Sequence, residues 1–259
     1  MGSVMEPGTL FILEIRSLGV NIAATWNDIP VYSNPSGRGR IAQIKLNPQV
    51  VEGENEGRAI LRPAEVVTEK GKAPGQPYLR LRVIRGRIGQ TDQSVLSEFV
   101  WRAELGPLPP GWRDSIPIGE AFGRWLWEAA PRVAPTTADR QAILSLVERL
   151  RNAVVAADAA TVAETFAAKN AEMARALDLP SADVAADMDS FFAPFFGAAS
   201  RRMAAIDPED IELAVQAQGR LIQVVRRDGG PALRGSTDSA RIEVPVTVTR
   251  SGDQWVIVR

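Results

Sequence analysis

Histidine and cysteine are both absent from the 259 residues, so any chemistry rests on carboxylates, lysine, arginine, tyrosine or hydroxyls. That removes the commonest general acid/base, every triad built on histidine, thiolate nucleophiles and the usual soft metal sites. No metal and no cofactor is expected. The carboxylates whose spacing suits acid/base work are Asp183 and Asp187, four residues apart and therefore on one face of a helix. When two such groups are buried together their pKa values split, and one can donate a proton while the other accepts it. A plainer account is preferred, since both stand in the first turns after Ser181, where the helix dipole favours negative charge.

Candidates for binding lie elsewhere. Arg80 and Arg82 alternate with Leu79, Leu81 and Val83, which places both guanidiniums on the wet face of a strand. With Arg38, Arg40, Arg85 and Arg87 they make the first hundred residues locally basic, a surface suited to a small anion or an acidic protein. Phe192 and Trp255, together with Phe191, Phe195 and Phe196, are rich enough in apolar area to line a ligand pocket. A stripe of aromatics at helical spacing is more often plain core. Trp127 falls off the apolar face of the segment around it and is a further binding candidate.

These residues have to be positioned by two different kinds of structure. From residue 9 to 105 the chain reads as β throughout, with strands expected at 20–26, 29–33, 40–46, 57–62 and 94–104 besides those carrying Phe11 and Leu79. Asn27-Asp28, turn residues between two of these strands, reads as a hairpin turn. Gly106 to Thr137 is richer in proline, and Ile118, Phe122, Trp125 and Leu126 recur there at i, i+4, i+7 and i+8, the pattern of a short helix. The remainder is helical first: Thr137 caps a helix carrying Ile143, Val147, Leu150 and Val154. Asp158 caps a second, and Ser181 a third in which Pro194 should kink or end the helix. It is β last, with Ile211 to Val215, Leu221 to Val225, the alternating Ile242, Val244, Val246 and Val248, and a Ser251-Gly252-Asp253 turn into Trp255. Glu212, Glu243 and the basic pairs Arg201-Arg202 and Arg226-Arg227 read as solvated.

The reading is therefore α+β in two domains: an antiparallel β-sandwich over 5–106, a linker with a short helix over 107–137, and three helices packed on a curled antiparallel sheet over 138–259. Asn27-Asp28-Ile29-Pro30-Val31-Tyr32 followed by Leu46-Asn47-Pro48, Val50, Gly53 and Asn55 resembles bacterial sandwiches of the galactose-binding or jelly-roll sort. That resemblance implies loops that bind sugars or proteins. The last 120 residues or so, ending Gly252-Asp253-Gln254-Trp255-Val256-Ile257-Val258, resemble the nuclear transport factor 2-like, or SnoaL-like, α+β cone. The departure is that Leu177 to Ser181 leaves no room for the hairpin such folds place between their second and third helices.

Lys+Arg total 30 against 31 Asp+Glu, so the chain has no global basic field to recommend nucleic acid. No run of 18 apolar residues exists to span a membrane. Met1-Gly2-Ser3 reads as an added leader with Met5 as the natural start, which places the protein in the cytoplasm; a trimmed leader would make it periplasmic or secreted. The function expected is non-enzymatic, that of a bacterial accessory, adaptor or toxin-neutralising protein that binds a protein partner or a small apolar ligand. The alternative is a small-molecule enzyme of the SnoaL-like sort, working with Asp183 and Asp187 in an apolar pocket.

Overall fold

The computed structural model describes residues 3–66, 75–196 and 202–259 and divides into two compact units, Met1–Gly123 and Arg124–Arg259. Both are built mainly on antiparallel sheets; among the described residues the α-helices lie in the second unit and the first has only 3-10 turns at Asn47–Gln49 and Ala103–Leu105, so the fold is α+β. No described helix is long and apolar enough to cross a membrane.

The first unit contains β1 (Ser3–Val4), β2 (Thr9–Leu18), β3 (Val20–Trp26), β4 (Ile29–Asn34), β5 (Arg40–Lys45), β6 (Gly53–Pro63), β7 (Tyr78–Arg87), β8 (Ser94–Arg102), β9 (Gly111–Ile118) and β10 (Glu120–Ala121). Two four-stranded sheets result, in the orders β5-β2-β7-β8 and β4-β3-β6-β9, while β1 pairs β10 alone. Period-two alternation does the work expected of it. Phe11, Leu13 and Ile15 of one sheet and Val20, Ile22, Ala24 and Trp26 of the other turn inward into one sandwich core, joined by Leu61, Leu79, Leu81 and Val83.

The turn at Asn27-Asp28 is left-handed at both residues, with φ of 51° and 64°. Few residue types other than glycine accept that conformation cheaply, and Asn and Asp are among them. Asn27 does more than turn. Its side-chain amide donates to the Gln49 carbonyl and to Asn55 Oδ1, and its oxygen accepts from the Glu56 amide. Asn55, fully buried, accepts from the Val51 amide and donates to the carbonyls of Val51 and Gly53. Asn47, equally buried, bridges the Phe11 amide and the Thr9 carbonyl. The asparagines of the 46–55 loop are thus a clasp that satisfies buried backbone groups. Asn55→Ala orphans several of them at once, and we expect a loss of about 3 kcal/mol, the upper end of the cost of one unmet buried group, by chemical denaturation.

One expectation fails in this unit. Gly111–Ile118 is a strand paired along β6, and Ile116 and Ile118 are buried in the sandwich. Phe122 meets Phe11 edge-on at 6.2 Å, and helix begins only at Leu126. The apolar spacing of Ile118, Phe122, Trp125 and Leu126 is that of a strand end, a loop aromatic and a helix start rather than one helical face. The first compact unit extends to Gly123, so 107–123 falls within it.

The second unit runs α1 (Leu126–Ala129), α2 (Thr137–Ala156), α3 (Ala159–Thr165), α4 (Ala167–Leu177), α5 (Ser181–Phe196), then β11 (Arg202–Met203), β12 (Ile211–Gln216), β13 (Leu221–Arg226), β14 (Leu233–Ser236), β15 (Arg241–Val244), β16 (Val246–Ser251) and β17 (Gln254–Ile257). The cap of α2 is Thr136, one residue before the one expected. Only from there does Asp139 reach back to the cap amide while its own amide donates to the Thr136 hydroxyl. The second expected helix is two helices. Phe166 sits at the break, and the Thr165 hydroxyl bonds the Thr161 carbonyl, a back-bond that bends helices. Asp158 caps α3 as expected, through the Thr161 amide. Helix α5 starts at Ser181 itself and continues through Pro194 to Phe196.

The strands form two sheets, β12-β13-β16-β17 and β11-β14-β15. The alternating run from Ile242 to Val248 is divided by Pro245, which has no N–H to give a ladder, and there the chain passes from one sheet to the other. Ile143, Val147, Leu150 and Val154 of α2 join Val162, Phe166, Phe192, Phe195 and the strand residues Ile222, Val224, Leu233, Ile242, Val246 and Val248 in one continuous core.

Candidate functional site

The outer face of the β5-β2-β7-β8 sheet is where the structure gathers the basic candidates. Strand register sets the rows across it. Gln43, Glu14, Arg82 and Glu98 lie side by side, flanked on one side by Lys45, Ile12, Ile84 and Val95 and on the other by Ile41, Arg16, Arg80 and Val100. Arg80 and Arg82 share this face, but they are not equivalent. Arg80 pairs with Glu98 at 2.7 Å, and both side chains are more than a third exposed. Arg82 clamps Glu14 through Nε at 3.0 Å and Nη2 at 2.5 Å, and Glu14 is only 3% exposed. Burial alone would raise the Glu14 carboxyl. The hydrogen bonds and charges of Arg82 and Arg16 outweigh it and hold the group below its ordinary value. Arg82 is therefore a structural counter-ion and not a rim charge.

Around this ladder stand aliphatic side chains that face solvent: Ile41 at 70% exposure, Val95 at 49% and Val100 at 44%. Single exposed aliphatics are ordinary, but here they share one sheet face with Lys45, Arg16, Arg80 and Arg102. The other sheet differs. Its outer face carries Ile60 among the paired charges of Glu56 with Arg58 and with Arg113, and Ser115 donates to Glu54.

In the second unit the candidates separate. Asp183 and Asp187 do lie on one side of α5, but it is the exposed side, away from Phe192 and Phe195, which face the core. The buried carboxylate pair that acid/base work requires is not formed at those positions. Phe192 is fully buried, 5.9 Å from Phe166 and from Phe196 and edge-on to Phe191 at 5.1 Å, so it packs the core rather than lining a pocket. Trp255, 8% exposed, closes the end of the core. Its indole N–H reaches Asp139 Oδ1 at 3.3 Å and Arg250 lies 5.7 Å above its ring. Arg250 also pairs with Asp139 at 2.7 Å. Asp139 is held below its usual value by the backbone and hydroxyl of Thr136, with Trp255 and Arg250 adding to it. Trp127 is 5% exposed, with its indole N–H unpartnered among the described residues. Glu212 and Glu243 are exposed as expected, but Arg226 is buried, bonding Asp210 at 2.6 Å and the Ala205 carbonyl at 2.8 Å. Arg201 lies outside the described residues.

A second cluster of charge, not singled out by spacing, surrounds Trp125. Glu172 on α4 is buried and accepts from the Leu126 amide at 2.6 Å and from Arg259 at 2.9 Å. Arg175 lies 4.5 Å over the Trp125 ring, Arg259 5.9 Å from it. Glu128 accepts from the Trp125 amide at 2.6 Å. Burial raises its carboxyl despite that bond and the charges of Arg124, Arg175 and Arg220. The only sequence signal was Lys169, Glu172 and Arg175 at intervals of three on one helix, which reads as an ordinary solvated face.

No protein-family model matches the chain, and no curated protein or solved structure matches it.

Proposed function

We propose that this chain is a non-enzymatic binding protein whose docking surface is the outer face of the β5-β2-β7-β8 sheet, and that its partner is a protein surface combining carboxylates with apolar side chains. The observation that carries the reading is the exposure of Ile41, Val95 and Val100 on a face where, with the buried Arg82–Glu14 pair set aside, Lys45, Arg16, Arg80 and Arg102 outnumber Glu98 and the Glu104 that pairs with Arg102. Aliphatic area supplies affinity on contact, and the surplus of positive charge steers an acidic partner and fixes its register. The likeness of residues 27–55 to galactose-binding or jelly-roll sandwiches favours the same role. The likeness of the second unit to the SnoaL-like cone supports a scaffold more than a reaction, since Phe166, Phe192 and Phe195 fill the space between its helices and strands.

Placing aspartate at Ile41 and at Val100 tests this without touching the core, as both are surface positions on the outer strands of the sheet. Stability should stay within about 0.5 kcal/mol of the parent. Partner captured on immobilised protein should fall at least tenfold, which is about 1.4 kcal/mol of binding free energy. The remaining binding should weaken further as salt is raised, because the steering charge is exposed. Ile60→Asp on the opposite sheet serves as the control; equal loss from it and from the paired variant removes the sheet face as the binding surface.

A further inference from the structure

The outer face of the small β11-β14-β15 sheet gathers cations over a pocket. Its register puts Arg202, Ser236 and Arg241 directly opposite one another, one from each strand. Met203 and Ile242, the next residues in line, turn into the core with Leu233 and Val244. Alternation therefore points the Arg-Ser-Arg row outward, together with Arg234 and Glu243 in the row beyond. A pocket of about 470 Å³ lies over these five residues. Among the described residues, the side chains of Arg202, Ser236 and Arg241 have no hydrogen-bond or ion-pair partner. The neighbouring arginines are already engaged: Arg234 pairs with Asp228 at 2.7 Å, and Arg151 donates to the carbonyls of Met203 and Ala204. Ser236 and Arg241 also flank a well-bonded turn. There the Thr237 amide donates to the Ala240 carbonyl at 2.8 Å, and the Thr237 hydroxyl accepts from the amides of Ser239 and Ala240.

Directly opposed residues of an antiparallel pair stand about 5 Å apart, so the two arginines start about 10 Å apart with the serine between them. Two long side chains can close that span onto one tetrahedral anion, above a hydroxyl that donates from below. We propose that the row binds the phosphate group of a small phosphate monoester. Each guanidinium presents a planar fork that matches two phosphate oxygens, and neither has to leave another partner first. The pocket is larger than a phosphate, so it has room for the group that carries it. Glu243, the acid among the lining residues, can only accept when ionised. It therefore favours a hydroxyl on the carrier and disfavours a second anionic group. The site lies wholly within the second unit, so it and the sheet face proposed for the protein partner can each fail without the other.

The test is calorimetric titration of the whole protein with glycerol 3-phosphate, with inorganic phosphate and with glycerol, at neutral pH and fixed ionic strength. The expected result is saturable binding of glycerol 3-phosphate, tighter than that of inorganic phosphate, and none of glycerol. Arg202→Gln and Arg241→Gln replace exposed side chains, so both should keep the parent's denaturation midpoint. Each should weaken binding of the monoester at least tenfold. Arg227→Gln removes an exposed arginine elsewhere in the same unit and controls for general charge. Absence of saturable binding, or the same loss from Arg227→Gln as from Arg241→Gln, overturns the proposal. Equal affinity for inorganic phosphate overturns the assignment to a monoester.

Discussion

Replacing Arg82 by glutamate should unfold the sandwich or leave it barely stable. The guanidinium holds a carboxylate, Glu14, that is 3% exposed, across a strand pair whose register puts the two side by side. Removing one partner of a buried pair costs about 3–5 kcal/mol, and reversal adds repulsion from a new carboxylate at the same place. That is comparable with the whole stability of many domains, about 5–15 kcal/mol. Arg80→Glu, two residues away on the same face, breaks an exposed pair with Glu98 and should cost about 0–1 kcal/mol. Denaturation midpoints of the two variants measure the contrast; equal midpoints would mean that Glu14 finds other support. The same pair predicts behaviour in acid. The folded Glu14 carboxyl lies below its ordinary value, so its contribution is complete above about pH 5 and disappears as pH falls through the lowered value. Glu14→Gln should flatten that part of the profile.

Trp255→Ala should lower the stability of the second unit by about 3–5 kcal/mol, the usual range for deleting a large buried aromatic. The loss has two sources. The ring is 8% exposed and belongs to the core that includes Val248 and Ile257, so its removal leaves a cavity. Its N–H also helps to hold Asp139, which caps α2 through Thr136 and anchors Arg250. Unfolding followed by denaturant should show a lower midpoint, and Trp255→Phe should recover most of the packing while still lacking the bond to Asp139. A midpoint close to the parent's would show that the indole carries neither role.

How much of this was legible in the sequence depended on whether the interaction was local. The hairpin at Asn27-Asp28 could be read because its turn residues carry their own conformational preference. The strand of Leu79, Leu81 and Val83 could be read because one face is wholly aliphatic. The burial of Glu14 could not, since its partner is 68 residues away and nothing near either residue marks the pair. Glu172 and Arg259 are separated by 87 residues and were missed for the same reason. The supposed helix around Phe122 shows the opposite error. A period near 3.6 was present in the residues, but Ile118 had already found its place opposite Gly53 in a sheet, and tertiary pairing overrode the pattern. Asp183 and Asp187 were placed correctly on one side of a helix. What the sequence did not reveal is which side of that helix faces the core.

Site-specific photo-crosslinking tests whether a partner docks on the outer face of the β5-β2-β7-β8 sheet. A photoreactive side chain is placed at position 41, which is 70% exposed on β5, or at position 60, which is 59% exposed on the outer face of the other sheet. Each protein is then irradiated in native extract of its own cells, with and without excess unlabelled parent. Docking on this face gives one dominant protein adduct from position 41, suppressed by the competitor and by raised salt, and none of the same size from position 60. A competed adduct from position 60 with none from position 41 would contradict it.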